Sequence, residues 1–183
     1  MIKKSITEKE AAESFVSLML KEGKEVWPLM LKIIETERVD ARKLIMCSEP
    51  EVLLALVAMG QEMSALYNLL PKQAKHIQSL MYEALSRFDN GSSYIRTVEK
   101  YFLAYKNSAR DLTNPLSTCV SNLLLDLFGQ NNHHFELLIN NEPTGEHSPL
   151  MGAQIVIVLN AFAGKWKDIL EKYEITSDSY SSR

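Results

Sequence analysis

The sequence predicts an all-α protein: a single-domain bundle of about seven to nine helices wrapped on two central apolar helices, residues 49–70 and 149–173. Three observations lead there. Apolar residues recur at spacings of three and four through every long patterned segment. Six prolines and seven glycines in 183 residues are too few for the many turns of an all-β domain. Helix-start signals also stand at the head of several apolar runs, as capping boxes or as a proline in the first turn.

Thr7-x-x-Glu10 is a capping box and opens the first helix, with Phe15, Val16, Leu18 and Met19 as its inner stripe and Gly23 as its expected stop. Trp27-Pro28 starts a second helix through Leu31 and Ile34, and residues 40–47 a short third. Ser48-x-x-Glu51 is another capping box, with Pro50 in its first turn. The run it opens, VLLALVAMG, is apolar on every face and continues to a stop at Pro71. Its small residues Ala55, Ala58 and Gly60 suit a close approach to a second backbone.

Pro71 is expected to start the next helix, whose stripe is Ile77, Leu80, Met81, Ala84, Leu85 and Phe88, ended by the turn signal Asp89-Asn90-Gly91. Ser92 or Ser93 caps a helix carrying Tyr94, Val98, Tyr101 and Tyr105 inward, and Asn114-Pro115 opens another that ends at Gly129. Residues 130–148 are the most polar internal stretch and read as a loop. Ser148 and Pro149 then cap and start a run with almost no polar face from Leu150 to Ala163. Its Ile155-Val156-Ile157-Val158 core also suits a strand, but helical spacing elsewhere in the chain favours a helix. The domain is expected to span residues 1–174, leaving 175–183 as a mobile tail.

A chain of this length fits one domain that buries roughly 70% of its unfolded surface. Hydrophobic content of 46% and charged content of 23% are globular values, which argues against disorder. Cys47 and Cys119 have no CxxC or Cys/His metal spacing and read as reduced thiols. The N-terminus lacks the apolar core of a signal peptide, and no segment reads as a membrane span, so the expected location is the cytoplasm. Net charge is −3, divided as −2 over residues 1–71, +3 over 72–112 and −4 over 113–183.

Three constellations bear on chemistry. His133, His134, Glu136 and His147 lie in the polar loop and carry imidazole and carboxylate groups that zinc accepts. Their spacing matches neither HExxH nor Glu-x-x-His, so no metal or cofactor is assigned. Arg96, Lys100, Lys106 and Arg110 interleave with aromatics within the basic segment 72–110, as on nucleic-acid surfaces, although the tyrosine spacing is that of a core stripe. Gln154 and Asn160 interrupt the apolar helix and are expected as buried polar anchors that fix its register.

No GxSxG, phosphate loop or Cys/His arrangement is present in the sequence, so no catalytic residue is assigned. Trp27, Met30 and Trp166 add apolar surface beyond what one core is expected to absorb. The function these readings favour is a non-catalytic helical interaction or regulatory module, working through a protein partner or its own homodimer. The alternatives are a nucleic-acid-associated transcriptional regulator using residues 72–110, and a ligand- or metal-binding enzyme built on the loop 130–148.

Overall fold

A computed structural model of the chain describes residues 3–36, 49–92, 95–96 and 149–177. In chain order the elements are β1 (Lys4–Thr7), α1 (Glu8–Thr36), α2 (Pro50–Leu69), α3 (Ala74–Ser86), α4 (Pro149–Asn160), α5 (Lys165–Lys172) and β2 (Tyr173–Thr176). Among the described residues there are thus four helices of twelve or more residues, one of eight and two strands. This corrects the all-α bundle of seven to nine helices: the described chain is mostly helical with a small parallel sheet.

The sheet is the feature absent from the sequence reading. β1 and β2 pair in parallel, Lys4 opposite Tyr173 and Ile6 opposite Ile175, so segments from the two ends of the chain lie side by side. Each strand has only four residues, too short for a period-two pattern to stand out. Ile6, Tyr173 and Ile175 pack against the core, and Lys3 Nζ donates to the Leu170 carbonyl beside the pair. The tail boundary expected at residue 175 therefore falls inside a strand.

The organising element is α1, which touches every other described element. Its capping box forms as the sequence predicts: Thr7 N donates to Glu10 Oε2 at 2.8 Å, and Glu10 N to Thr7 Oγ1 at 3.2 Å. The helix then runs unbroken through Gly23 and Pro28 for 29 residues, about 44 Å. Gly23 is no terminator; it is where α2 crosses. A Cβ there would lie 2.5 Å from the Glu51 carbonyl oxygen and 3.1 Å from Ala55 Cβ. Ala55 does serve a close helix approach, but to α1.

Pro28 leaves the Lys24 carbonyl without its usual helical donor. Both residues are exposed, so water can satisfy that carbonyl, while Met30 and Ile33 beyond the proline are buried and hold the helix on course. Two expected helices are therefore one. The third, residues 40–47, lies outside the described residues, as do both cysteines and the helices expected across 97–129.

α2 begins at Pro50 with Glu49 as N-cap, and Glu49 makes no side-chain cap; Ser48 of the expected capping box lies outside the described residues. Leu53 to Met59 are all buried. By length and composition this helix alone among the described ones could cross a membrane; here it is the chief neighbour of α1. The link to α3 is a tight turn closed by Gln73 N to Leu70 O at 3.1 Å and Ala74 N to Leu70 O at 2.9 Å, so α3 starts three residues after Pro71. Its inner stripe Ile77, Met81, Ala84 and Leu85 is buried, and Phe88 is exposed.

The expected central helix 149–173 is two helices and the start of a strand. Ile155, Val158, Leu159 and Phe162 are buried at spacings of three, one and three, which is one helix face, so the β-branched run is helical. The opposite side is not enclosed: Ala153 is exposed and Ile157 is 65% exposed. After Asn160 the hydrogen bonds shift to the tighter i to i+3 pattern, from Ala161, Phe162 and Ala163 N to Val158, Leu159 and Asn160 O at 3.0–3.1 Å. Gly164 at φ 77° then turns the chain into α5. α4 packs chiefly on α1 rather than pairing with α2, so the expected two-helix centre gives way to a single long helix.

Trp166 is fully buried and stacks on Phe15, ring centroids 4.1 Å apart and planes 10° from parallel. Met30 is also fully buried, and Trp27 is half-buried. The surplus apolar surface anticipated at these three residues is thus largely absorbed by the one core, which contains Met30 and Trp166 and against which Trp27 packs.

Candidate interaction cleft

Among the described residues, two carboxylates lie in the interior, and each holds helices together. Glu62 stands on the buried stripe of α2 and is 8% exposed. Its Oε1 accepts from Gly164 N at 3.2 Å, placing a negative group at the N-terminus of α5, where helix N–H groups lack partners. Its Oε2 and the indole Nε1 of Trp166 are buried without a hydrogen-bond partner among the described residues. Glu8, in the first turn of α1, accepts from Gln73 Nε2 at 2.9 Å and lies 3.5 Å from Nε2 of His76, which joins the start of α3 to the start of α1. Sequence reasoning missed both. The signal was there: Ala55, Met59, Glu62 and Leu66 follow spacings of four, three and four, and Glu8 precedes Ala11, Ala12 and Phe15 on the same stripe.

Ion pairs also fix helix ends. Lys165 Nζ lies 2.9 Å from Glu22 Oε2, both largely shielded, and ties α5 to the middle of α1. Arg87, just beyond α3, reaches Glu83 at 2.7 Å and Glu13 at 2.9 Å. Its guanidinium is raised above its ordinary value by the hydrogen bond to Glu83 first and by that to Glu13 second. This clamp holds the end of α3 against α1 and so sets where the following residues project.

Those residues help to form a cleft of about 520 Å³ between α1, the start of α2 and the turn after α3. Leu56 and Leu85 make a buried floor, and Leu20 and Val52 are half-buried on its walls. Phe88 stands at the mouth, 53% exposed, with Ser17, Lys21, Lys24 and Asp89 also exposed around it. Phe88 is fixed there by a sharp reversal: Asn90 has φ 61°, Gly91 N donates to Phe88 O at 2.9 Å, and a Cβ on the buried Gly91 would run into the Leu85 carbonyl. The Asp89-Asn90-Gly91 turn signal is realised, and its consequence is the presented aromatic.

The residues singled out from sequence are not gathered here. Arg96 is exposed, whereas Lys100, Lys106 and Arg110 lie outside the described residues, as do His133, His134, Glu136 and His147. Gln154 is half-buried and Asn160 exposed; the polar residues enclosed by the core among the described ones are Glu62 and Glu8 instead. Among the described residues, no cluster of three or more His, Cys, Asp or Glu side chains has metal-binding geometry. No protein-family model, curated protein or solved structure matches the chain.

Proposed function

We propose that the protein is an interaction module that captures a segment of a partner chain in the cleft beside α1. The supporting observation is the pairing of a buried leucine floor with a solvent-exposed phenylalanine at its rim. An aromatic projecting at the edge of an apolar recess is what interface hot spots are built from, because it can be desolvated with little rearrangement. The cleft lies between helices, where a short apolar-faced segment can seat its side chains in an existing groove. A cleft of about 520 Å³ seats only a short segment, for which weak binding, on the order of micromolar, is expected.

Selection of a random-peptide display library against the protein tests this reading. Enriched peptides should bind the wild type and lose at least tenfold in affinity for Phe88→Asp, a change at an exposed turn that leaves the melting temperature nearly unaltered. Enriched peptides that bind Phe88→Asp equally well, or a selection that enriches nothing, would count against it. Self-association through the same cleft would appear as concentration-dependent mass in light scattering, lost in the same variant.

A further inference from the structure

The charges around the cleft identify the chemistry of what enters it; this inference rests on the reading of the cleft as a capture site. Among the described residues, five ionisable side chains line it: Lys21, Lys24, Glu49, Glu51 and Asp89. Lys21 is engaged with Glu25 at 3.6 Å, one turn along α1. Lys24, Glu49, Glu51 and Asp89 make no ion pair among the described residues, and Glu49 forms no side-chain cap on α2. Among the described residues, three unpaired carboxylates therefore stand against one unpaired ammonium. The positive end of the α2 dipole, about half a charge, lowers the negative excess to about one and a half.

That excess surrounds an apolar floor, so a complementary occupant carries both an apolar stripe and positive charge. We propose that the cleft binds a cationic amphipathic segment of a partner protein: large apolar side chains at helical spacing on Leu56, Leu85 and Phe88, flanked by Lys or Arg facing Glu49, Glu51 and Asp89. Lys24, on the α1 side, fixes direction by favouring an acidic residue at one end. Charges at such a rim act mainly on partner choice and association rate, while the apolar contacts supply most of the affinity.

The test uses three synthetic helical peptides with one shared leucine stripe, flanked by Lys, by Glu or by Gln, and fluorescence anisotropy with the full chain. The Lys peptide should bind at least about fivefold more tightly than the Gln peptide and more tightly still than the Glu peptide. Its advantage should shrink severalfold between roughly 0.05 and 0.5 M salt. Asp89→Asn with Glu51→Gln should remove the preference, and Asp89→Lys alone should reduce it, with circular dichroism showing each variant folded. Equal binding of all three peptides, abolished by Phe88→Asp, would overturn the cationic assignment and leave the capture site standing. Binding that Phe88→Asp does not affect would overturn both. A cleft closed by the chain itself or by a second copy would bind none of the peptides, and that too overturns the proposal.

Discussion

Replacing Gly23 with alanine should destabilise the protein although alanine is the better helix former. In an isolated helix the exchange would gain about 1 kcal/mol. Here the new Cβ would sit 2.5 Å from the Glu51 carbonyl oxygen and 3.1 Å from Ala55 Cβ. The nearer atom is backbone in the first turn of α2 and cannot rotate aside, so α1 and α2 must part by roughly half an ångström or more. Overpacking of this kind costs about 3 kcal/mol at the upper end of its usual range. The net loss is about 2 kcal/mol, equivalent to a fall in melting temperature of roughly 4–8 °C for a chain of this size. Urea unfolding followed by circular dichroism measures it, with Ser14→Ala on the exposed side of α1 as a control expected to gain up to about 0.5 kcal/mol. A Gly23→Ala variant as stable as the wild type, or more so, would refute the close crossing.

The interior polar groups give further expectations. Glu62→Gln keeps an acceptor for Gly164 N and should change stability little, whereas Glu62→Ala strands that donor and should cost about 1–3 kcal/mol by urea titration; equal losses for both would contradict the capping role. Trp166→Ala removes the stack on Phe15 and a fully buried indole, for a loss of about 3–5 kcal/mol in the same assay. Ser5→Cys combined with Glu174→Cys should form a disulfide under mild oxidation, because these residues are opposite in the parallel pair, and should add up to about 4 kcal/mol; failure to form would place the strands in another register. Arg87 has its folded value raised, so its favourable contribution is complete below the unfolded value and is lost only as pH rises through the still higher folded one. Removing its charge in Arg87→Gln should therefore lower the melting temperature equally at pH 7 and pH 9, less so in high salt, and a marked difference between the two pH values would argue against that assignment.

Local signals in the sequence were reliable where the chain's own neighbours decide the outcome. The Thr7–Glu10 box, Pro50 and Pro149 as first helical residues, the α3 stripe and the Asn90-Gly91 turn all involve residues within one or two turns of each other. Failure came where a distant segment decides. The local stop signal at Gly23 and the local start signal at Pro28 are overridden by burial of Phe15, Met19, Met30 and Ile33 along one continuous face. KSIT and YEIT become strands only because the two chain ends meet. The cleft was illegible for the same reason, since its floor joins Leu56 to Leu85 and its rim joins Lys24 to Asp89. Hydrophobicity alone also overstated the role of residues 149–173: α4 is apolar in composition yet leaves Ile157 exposed, while α1, more polar overall, supplies the centre.

The most direct test of the capture reading is an NMR titration of the isotope-labelled protein with the Lys-flanked amphipathic peptide. Chemical-shift changes should concentrate on Leu20, Lys24, Glu51, Val52, Leu85 and Phe88 and saturate together. Changes centred elsewhere, or none at peptide concentrations well above micromolar, would contradict it.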